Sequence, residues 1–247
     1  MDKFLYIASS GAKELMLAQS INANNLANAN TVGFREDQAF YKALQMSGAG
    51  HASRAYVDTQ GQGADFSPGS LMPTGRDLDV AIRGEGWVAV QGVDGTEAYT
   101  RAGDLKVSAA GLLTTNTGHP VIGNNAGPIT LPPFEKIEIG GDGTISVIPR
   151  GQEASTLAVV DRIKLVKPDN NQLKKGVDGL FRHTDGIEVA SDAEVRLISG
   201  TLESSNVNVV ESMVKTMELA RRFELQVKLM EQAKTLDESS TSIMKMN

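Results

Sequence analysis

The run Val209-Val210-Glu211-Ser212-Met213-Val214-Lys215-Thr216-Met217-Glu218-Leu219-Ala220-Arg221-Arg222-Phe223-Glu224-Leu225-Gln226-Val227-Lys228-Leu229-Met230 contains neither proline nor glycine. Val209, Met213, Thr216, Ala220, Phe223, Val227 and Met230 follow one another at alternating steps of four and three residues. That is a heptad seam, the pattern of a helix that packs along its length against another helix. Asn208, three residues before Glu211, has the spacing of a capping box and marks the start. Beyond Met230 the seam drifts through Ala233 and Leu236 to Ile243. Glu211–Lys215 and Glu224–Lys228 are i,i+4 pairs in the favourable order. A helix of roughly 36 residues would be ~54 Å long.

The other end mirrors this pattern. From Asp2 to Ala29 the spacing of Phe4, Ala8, Leu15, Ala18, Asn22 and Leu26 predicts a second helix. The amides Asn22, Asn24, Asn25, Asn28 and Asn30 crowd its end. Asn competes for backbone hydrogen bonds and tolerates left-handed geometry, so it favours helix termini. Amides near a seam are costly unless paired, and paired ones fix register between helices. Asn24, Asn25 and Asn28 are therefore expected to act in an assembled bundle, with helix capping as the plain alternative.

Between the helices the hydrophobic period falls to two. Leu78, Val80 and Ile82 alternate with Asp79 and Ala81. Val88–Val90 and Ala98–Thr100 flank Asp94-Gly95, and Ile137–Ile139 and Thr144–Val147 flank the turn at 140–143. Both are hairpin signals. Further strands are expected at 162–166, 187–190 and 194–198. The predicted fold is thus α+β. Residues 1–34 form an N-terminal helix, 35–75 an extended Gly- and Pro-punctuated connector, 76–200 a central antiparallel β domain and 201–247 a C-terminal helix. Two long amphipathic helices at opposite ends of a chain leave apolar stripes that need covers. Self-assembly is the favoured cover; helices lying on the β domain, or a helix reserved for a partner, are the alternatives.

Composition narrows the function. Hydrophobic residues make up 40% of the chain and charged residues 22%, enough for a core. A net charge of −6 argues against an electrostatic grip on nucleic acid or anionic lipid. The absence of cysteine removes disulfides and thiol chemistry. The opening residues lack the basic and apolar blocks of a cleavable leader, and no stretch is apolar enough to span a membrane. Taken alone, this reads as cytoplasmic.

Catalytic patterns fare poorly. Gly84-Glu85-Gly86-Trp87-Val88-Ala89, with Asp104 downstream, fits a dinucleotide fingerprint in letters. Its continuation into an apolar strand run denies it the helix that chemistry needs. His51, His119 and His183 are scattered loop residues without ligand spacing. The Asp-Gly pairs starting at Asp94, Asp142, Asp178 and Asp185 belong to no calcium loop and read as turns. No nucleophile elbow occurs. No enzyme activity, cofactor or metal is expected.

Three stretches carry a resemblance. Ala23-Asn24-Asn25-Leu26-Ala27-Asn28-Ala29-Asn30-Thr31-Val32-Gly33-Phe34-Arg35 resembles the N-terminal signature of the flagellar rod and hook axial proteins. Residues 78–87 resemble the opening of their β domain, and Ser204-Ser205-Asn206-Val207-Asn208-Val209-Val210-Glu211 their C-terminal entry motif. Ala220-Arg221-Arg222-Phe223-Glu224 looks like the proximal-rod version of the last helix, with a distal-rod paralogue as runner-up. A secreted ligand-binding β module is the alternative from another class.

The resemblance implies a structural subunit of the basal-body rod, whose terminal helices pair as a coiled-coil inner domain, D0, with the β part as D1. It implies helical assembly with itself and other rod proteins, export by the flagellar type III apparatus without a cleaved leader, and a periplasmic location that replaces the cytoplasmic reading. The expected assembly residues are Leu15, Ala18, Asn22, Asn24, Asn25, Leu26, Asn28, Gly33 and Phe34 at one end. At the other they are Asn206, Asn208, Val209, Met213, Ala220, Phe223, Val227 and Met230. Both ends are expected to be labile in the isolated monomer and helical once assembled, while 76–200 stays folded throughout.

Overall fold

The computed structural model describes residues 2–45, 55–125, 127–151 and 157–245. His51 lies outside them. The chain divides into two compact units. The first takes residues 1–29, 36–65 and 207–247, and the second residues 30–35 and 66–206.

The first unit holds both long helices, α1 (Asp2–Ala27) and α2 (Val209–Lys245), with the hairpin β1 (Asp37–Gln45) and β2 (Ala55–Ala64). The hairpin pairs antiparallel from Asp37↔Ala64 to Gln45↔Ala55, with an irregularity at Phe40/Tyr41. It corrects the reading of 35–75 as an extended connector. The glycines at 61 and 63 that suggested loop lie inside β2. The helices run antiparallel, with Gly11 beside Gln226 and Asn22 beside Ser212. Asn208 caps α2 through Oδ1, which accepts the Val210 and Glu211 N–H groups at 3.1 and 3.3 Å.

The second unit is built from short strands: β3 (Leu71–Pro73), β4 (Val80–Arg83), β5 (Trp87–Gln91), β6 (Glu97–Thr100), β7 (Leu105–Val107), β8 (Leu113–Thr115), β9 (Phe134–Ile139), β10 (Thr144–Pro149), β11 (Ala158–Arg162), β12 (Leu165–Val166), β13 (Leu173–Lys175), β14 (Phe181–His183), β15 (Arg196–Ser199) and β16 (Thr201–Glu203). They form a five-stranded sheet ordered β12-β5-β6-β14-β13, a three-stranded sheet β11-β10-β9, and the pairs β15-β4, β16-β3 and β7-β8. Every strand pairing is antiparallel.

The hairpins at Asp94-Gly95 and Asp142-Gly143 form where the turn residues put them. In each, an Asp Oδ1 accepts the backbone N–H of a threonine two residues on, a local bond that stabilises the turn. Asp178 does the same for Leu180. Strand β4 departs from simple alternation: Val80, Ala81 and Ile82 are all buried. A strand covered on both faces loses its period of two. No strand forms at 187–190. There Ile187 is exposed and the Val189 N–H donates to Tyr99 Oη at 3.0 Å. His183 ends β14 rather than sitting in a loop, with Nε2 3.0 Å from Gln172 Oε1.

One core draws on the five- and three-stranded sheets and the pairs β15-β4 and β7-β8, with Val90, Leu105, Leu113, Val121, Ile145 and Val147 fully inaccessible. Leu113→Ala should cost about 2–5 kcal/mol. The fluorescence of Trp87, the chain's single tryptophan, should report a lowered midpoint for the β unit. An unchanged midpoint would contradict this core assignment.

Candidate assembly interface

Small residues let the two helices approach closely. Among the α1 residues whose side chains are described, Ala8, Ala12, Ile21, Asn22 and Asn25 are buried. A Cβ on Gly11 would stand 2.5 Å from Gln226 Nε2. Leu15, Ala18 and Leu26 are half-buried.

Along α2 the more covered residues are Ser212, Thr216, Leu219, Phe223, Gln226, Met230 and Ala233, with Ala220 beside them. These also follow a four-three rhythm. The stripe turned inward is therefore rotated from the seam read in the sequence. Thr216, Ala220, Phe223 and Met230 are half-buried, but Val209, Met213 and Val227 are exposed. With Val210, Val214, Met217, Leu225, Leu229 and Leu236 also exposed, α2 carries apolar side chains on most of its circumference. Side chains of mixed polarity on the inward stripe explain why an apolar pattern missed part of it: Ser212 and Gln226 carry no hydrophobic signal.

The amides divide into two kinds. Asn22 Nδ2 donates to Ser212 O and Thr216 Oγ1, both at 2.7 Å, and so ties α1 to α2. Asn25 makes a reciprocal pair with Asp37: Nδ2 donates to the carbonyl at 2.9 Å, and Oδ1 accepts the N–H at 2.8 Å. Both side chains thus have partners inside one chain. Asn28 Nδ2 donates to Asn24 O at 2.9 Å, a local helix-end bond. Beside the hairpin, burial raises the carboxyl of Glu36 above its ordinary value, and the Lys215 charge opposes the shift.

Gly33, Phe34 and Asn206 belong to the second unit and are engaged there. Gly33 has φ +66°, and its N–H donates to Glu203 O at 2.8 Å. The Asn206 N–H donates to Phe34 O at 3.4 Å. Lys175 Nζ lies 3.8 Å from the Phe34 ring centre and donates to Arg35 O at 2.9 Å.

These residues surround a buried ionic triad that sequence reasoning missed. Arg35 Nη2 meets Glu203 Oε1 at 2.7 Å, with both side chains 1% exposed. Arg101 Nη1 meets Glu203 Oε2 at 3.0 Å. Arg35 Nη1 also donates to Ser67 O, and Arg101 Nη2 to Gly84 O at 2.8 Å. Burial pushes the Arg101 guanidinium below its ordinary value, and Glu203 opposes that shift. Arg101 also lies 5.4 Å from the Trp87 ring centre, beside Phe66 and Phe181. Arg35 closes the N-terminal motif and Glu203 precedes the C-terminal one. No spacing rule links them.

Among the described residues, no three His, Asp or Glu side chains converge as metal ligands would. No helix there is long and apolar enough to cross a membrane.

Three family models match. The basal body rod protein model covers residues 5–35, the flagellar hook protein FlgE/F/G D1 domain residues 81–147, and the basal body rod FlgEFG protein C-terminal model residues 198–243. The flagellar basal-body rod protein FlgF of Salmonella typhimurium is 44% identical over 93% of each chain. That of Escherichia coli is 43% identical over the same shares. The rod protein FlgG of Bacillus subtilis is 30% identical, over 93% of this chain and 94% of its own.

Asn22→Ala should destabilise the helix unit by about 1–2 kcal/mol, because it removes two bonds between helices. Asn24→Ala, at an exposed helical position, should leave it unchanged or slightly more stable. Helical ellipticity of assembled rods during urea dissociation checks both. Equal effects would show that the two amides do the same work.

Proposed function

Because the chain belongs to the FlgF family of flagellar basal-body rod proteins, we propose that α1 and α2 are the elements by which it assembles. It is a structural subunit of the basal-body rod. In this reading the two helices pair as a coiled-coil D0 domain, and the β unit serves as D1. Copies of this chain and other rod proteins cover what α1 leaves exposed on α2. The subunit reaches the periplasmic rod through the flagellar type III export apparatus and does no catalysis. A distal-rod role is less favoured, since the FlgG relative is 30% identical against 44% for FlgF.

The observation that carries this reading is the apolar surface of α2. Helix α1 has 26 residues and α2 has 37, so one α1 cannot cover its partner from end to end. Met217 is 66% exposed, Val210 70% and Leu225 55%. Large apolar side chains exposed in such numbers on one helix mark a surface that neighbours cover. Burying one such side chain is worth about 1.5–3 kcal/mol.

Met217→Asp and Leu225→Asp place a charge on that surface without touching the inward stripe. Each should abolish incorporation into purified basal bodies and motility in a strain lacking the wild-type protein. The Trp87-monitored unfolding of the β unit should not move. Normal swimming by both variants would sink the proposed role of this face.

A further inference from the structure

The second unit is not made from a continuous stretch of chain. Its Glu203 carboxylate is reached from three other places in the sequence: Arg35, the Gly69 N–H at 3.0 Å and Arg101. Arg101 lies 102 residues away and Gly69 134. The backbone carbonyl of Glu203 takes the Gly33 N–H, and the Asn206 N–H returns to Phe34 O. Asn206 Nδ2 donates to Ser67 O at 3.1 Å, the same carbonyl that Arg35 engages. The segment that follows α1 and the segment that precedes α2 are thereby fastened to one another, and both to residues 67–69.

Charge makes this fastening conditional. A carboxylate 1% exposed has lost its water, and each guanidinium replaces part of that hydration. A half-built cluster is worse than none, because one arginine leaves the carboxylate undercompensated and a missing carboxylate leaves two like charges side by side. Such a site closes as a whole or stays open to solvent.

We propose that Arg35, Glu203 and Arg101 form an end-to-end clasp, which makes closure of this part of the β unit conditional on docking of both helix-flanking segments. Residues 33–35 and 203–206 then open and close together with 67–69. A chain presented piecemeal keeps this region open until Glu203 arrives. The clasp lies within the second unit and does not depend on how the helices assemble.

Amide hydrogen exchange on the full-length protein tests this, with the Gly33, Gly69 and Asn206 N–H groups as reporters. None of the three donates to the Arg35 side chain. Arg35→Met should nonetheless accelerate exchange at all three by about tenfold or more, as for a shared local opening. The β9–β10 hairpin should keep its wild-type protection. Acceleration confined to Gly33, with Gly69 and Asn206 unchanged, would overturn the clasp. If Arg35→Met does not fold, Arg35→Lys keeps the charge but loses the planar fork. It should give the same three-site pattern at smaller amplitude, and a response at Gly33 alone would be equally fatal. In a cycle of Arg35→Lys with Glu203→Gln, followed by Trp87 fluorescence, the shifts in unfolding midpoint should be strongly non-additive. Additive shifts would show that the residues act independently.

Discussion

A carboxylate without water needs positive charge fixed around it, and Glu203 has two guanidinium groups and a backbone N–H in place of solvent. Removing one partner from such a cluster typically costs about 3–5 kcal/mol, because the remaining charge stays buried. Much of the surrounding geometry follows from that constraint. Gly33 must adopt a left-handed φ, and a side chain there would run into the backbone of Arg101 and Ala102. Lys175 sits over Phe34 and holds the Arg35 carbonyl. The single tryptophan packs against Arg101 and two phenylalanines.

The helix unit follows a different economy. Its inner contact mixes alanines, a glycine, Asn22 and Ile21 of α1 with Ser212, Thr216, Leu219, Phe223 and Gln226 of α2, so it takes up only part of the pair's apolar surface. Other large side chains, Met213, Val214, Met217 and Leu225, remain outside. Fixing each residue's backbone costs about 1–2 kcal/mol. A pair that leaves many of its large apolar residues in water offsets less of that cost. The same residues gain their full burial when other helices cover them. Specific pairing within the chain and apolar surface left for neighbours are what a subunit built for assembly requires.

Periodicity and turn chemistry made the architecture legible: two terminal helices, the Asp-Gly hairpins, and an antiparallel middle. The hairpin β1–β2 was hidden because glycines at 61 and 63 break the alternation that marks a strand. The rotation of the inward stripe on α2 was hidden because Ser212 and Gln226 are polar. Small residues at Ala8, Gly11 and Ala12 did carry a signal, the close-approach spacing of three and four, but an apolar template does not register it. The triad was illegible for a deeper reason. Ionic pairing between distant residues has no period, and charged side chains are ordinarily read as surface. Motifs adjoin both helices, yet nothing local says that their ends meet.

The central claim is that the terminal helices depend on neighbours for their stability, whereas the β unit does not. Hydrogen exchange measured on dilute, verified monomer and on purified rods tests it most directly. The account predicts weak protection along α1 and α2 in the monomer, strong protection of the same amides in the rod, and a β core around Ile145 and Val147 protected equally in both. Strong protection of both helices in the monomer would contradict it, since the pair would then be stable without any neighbour.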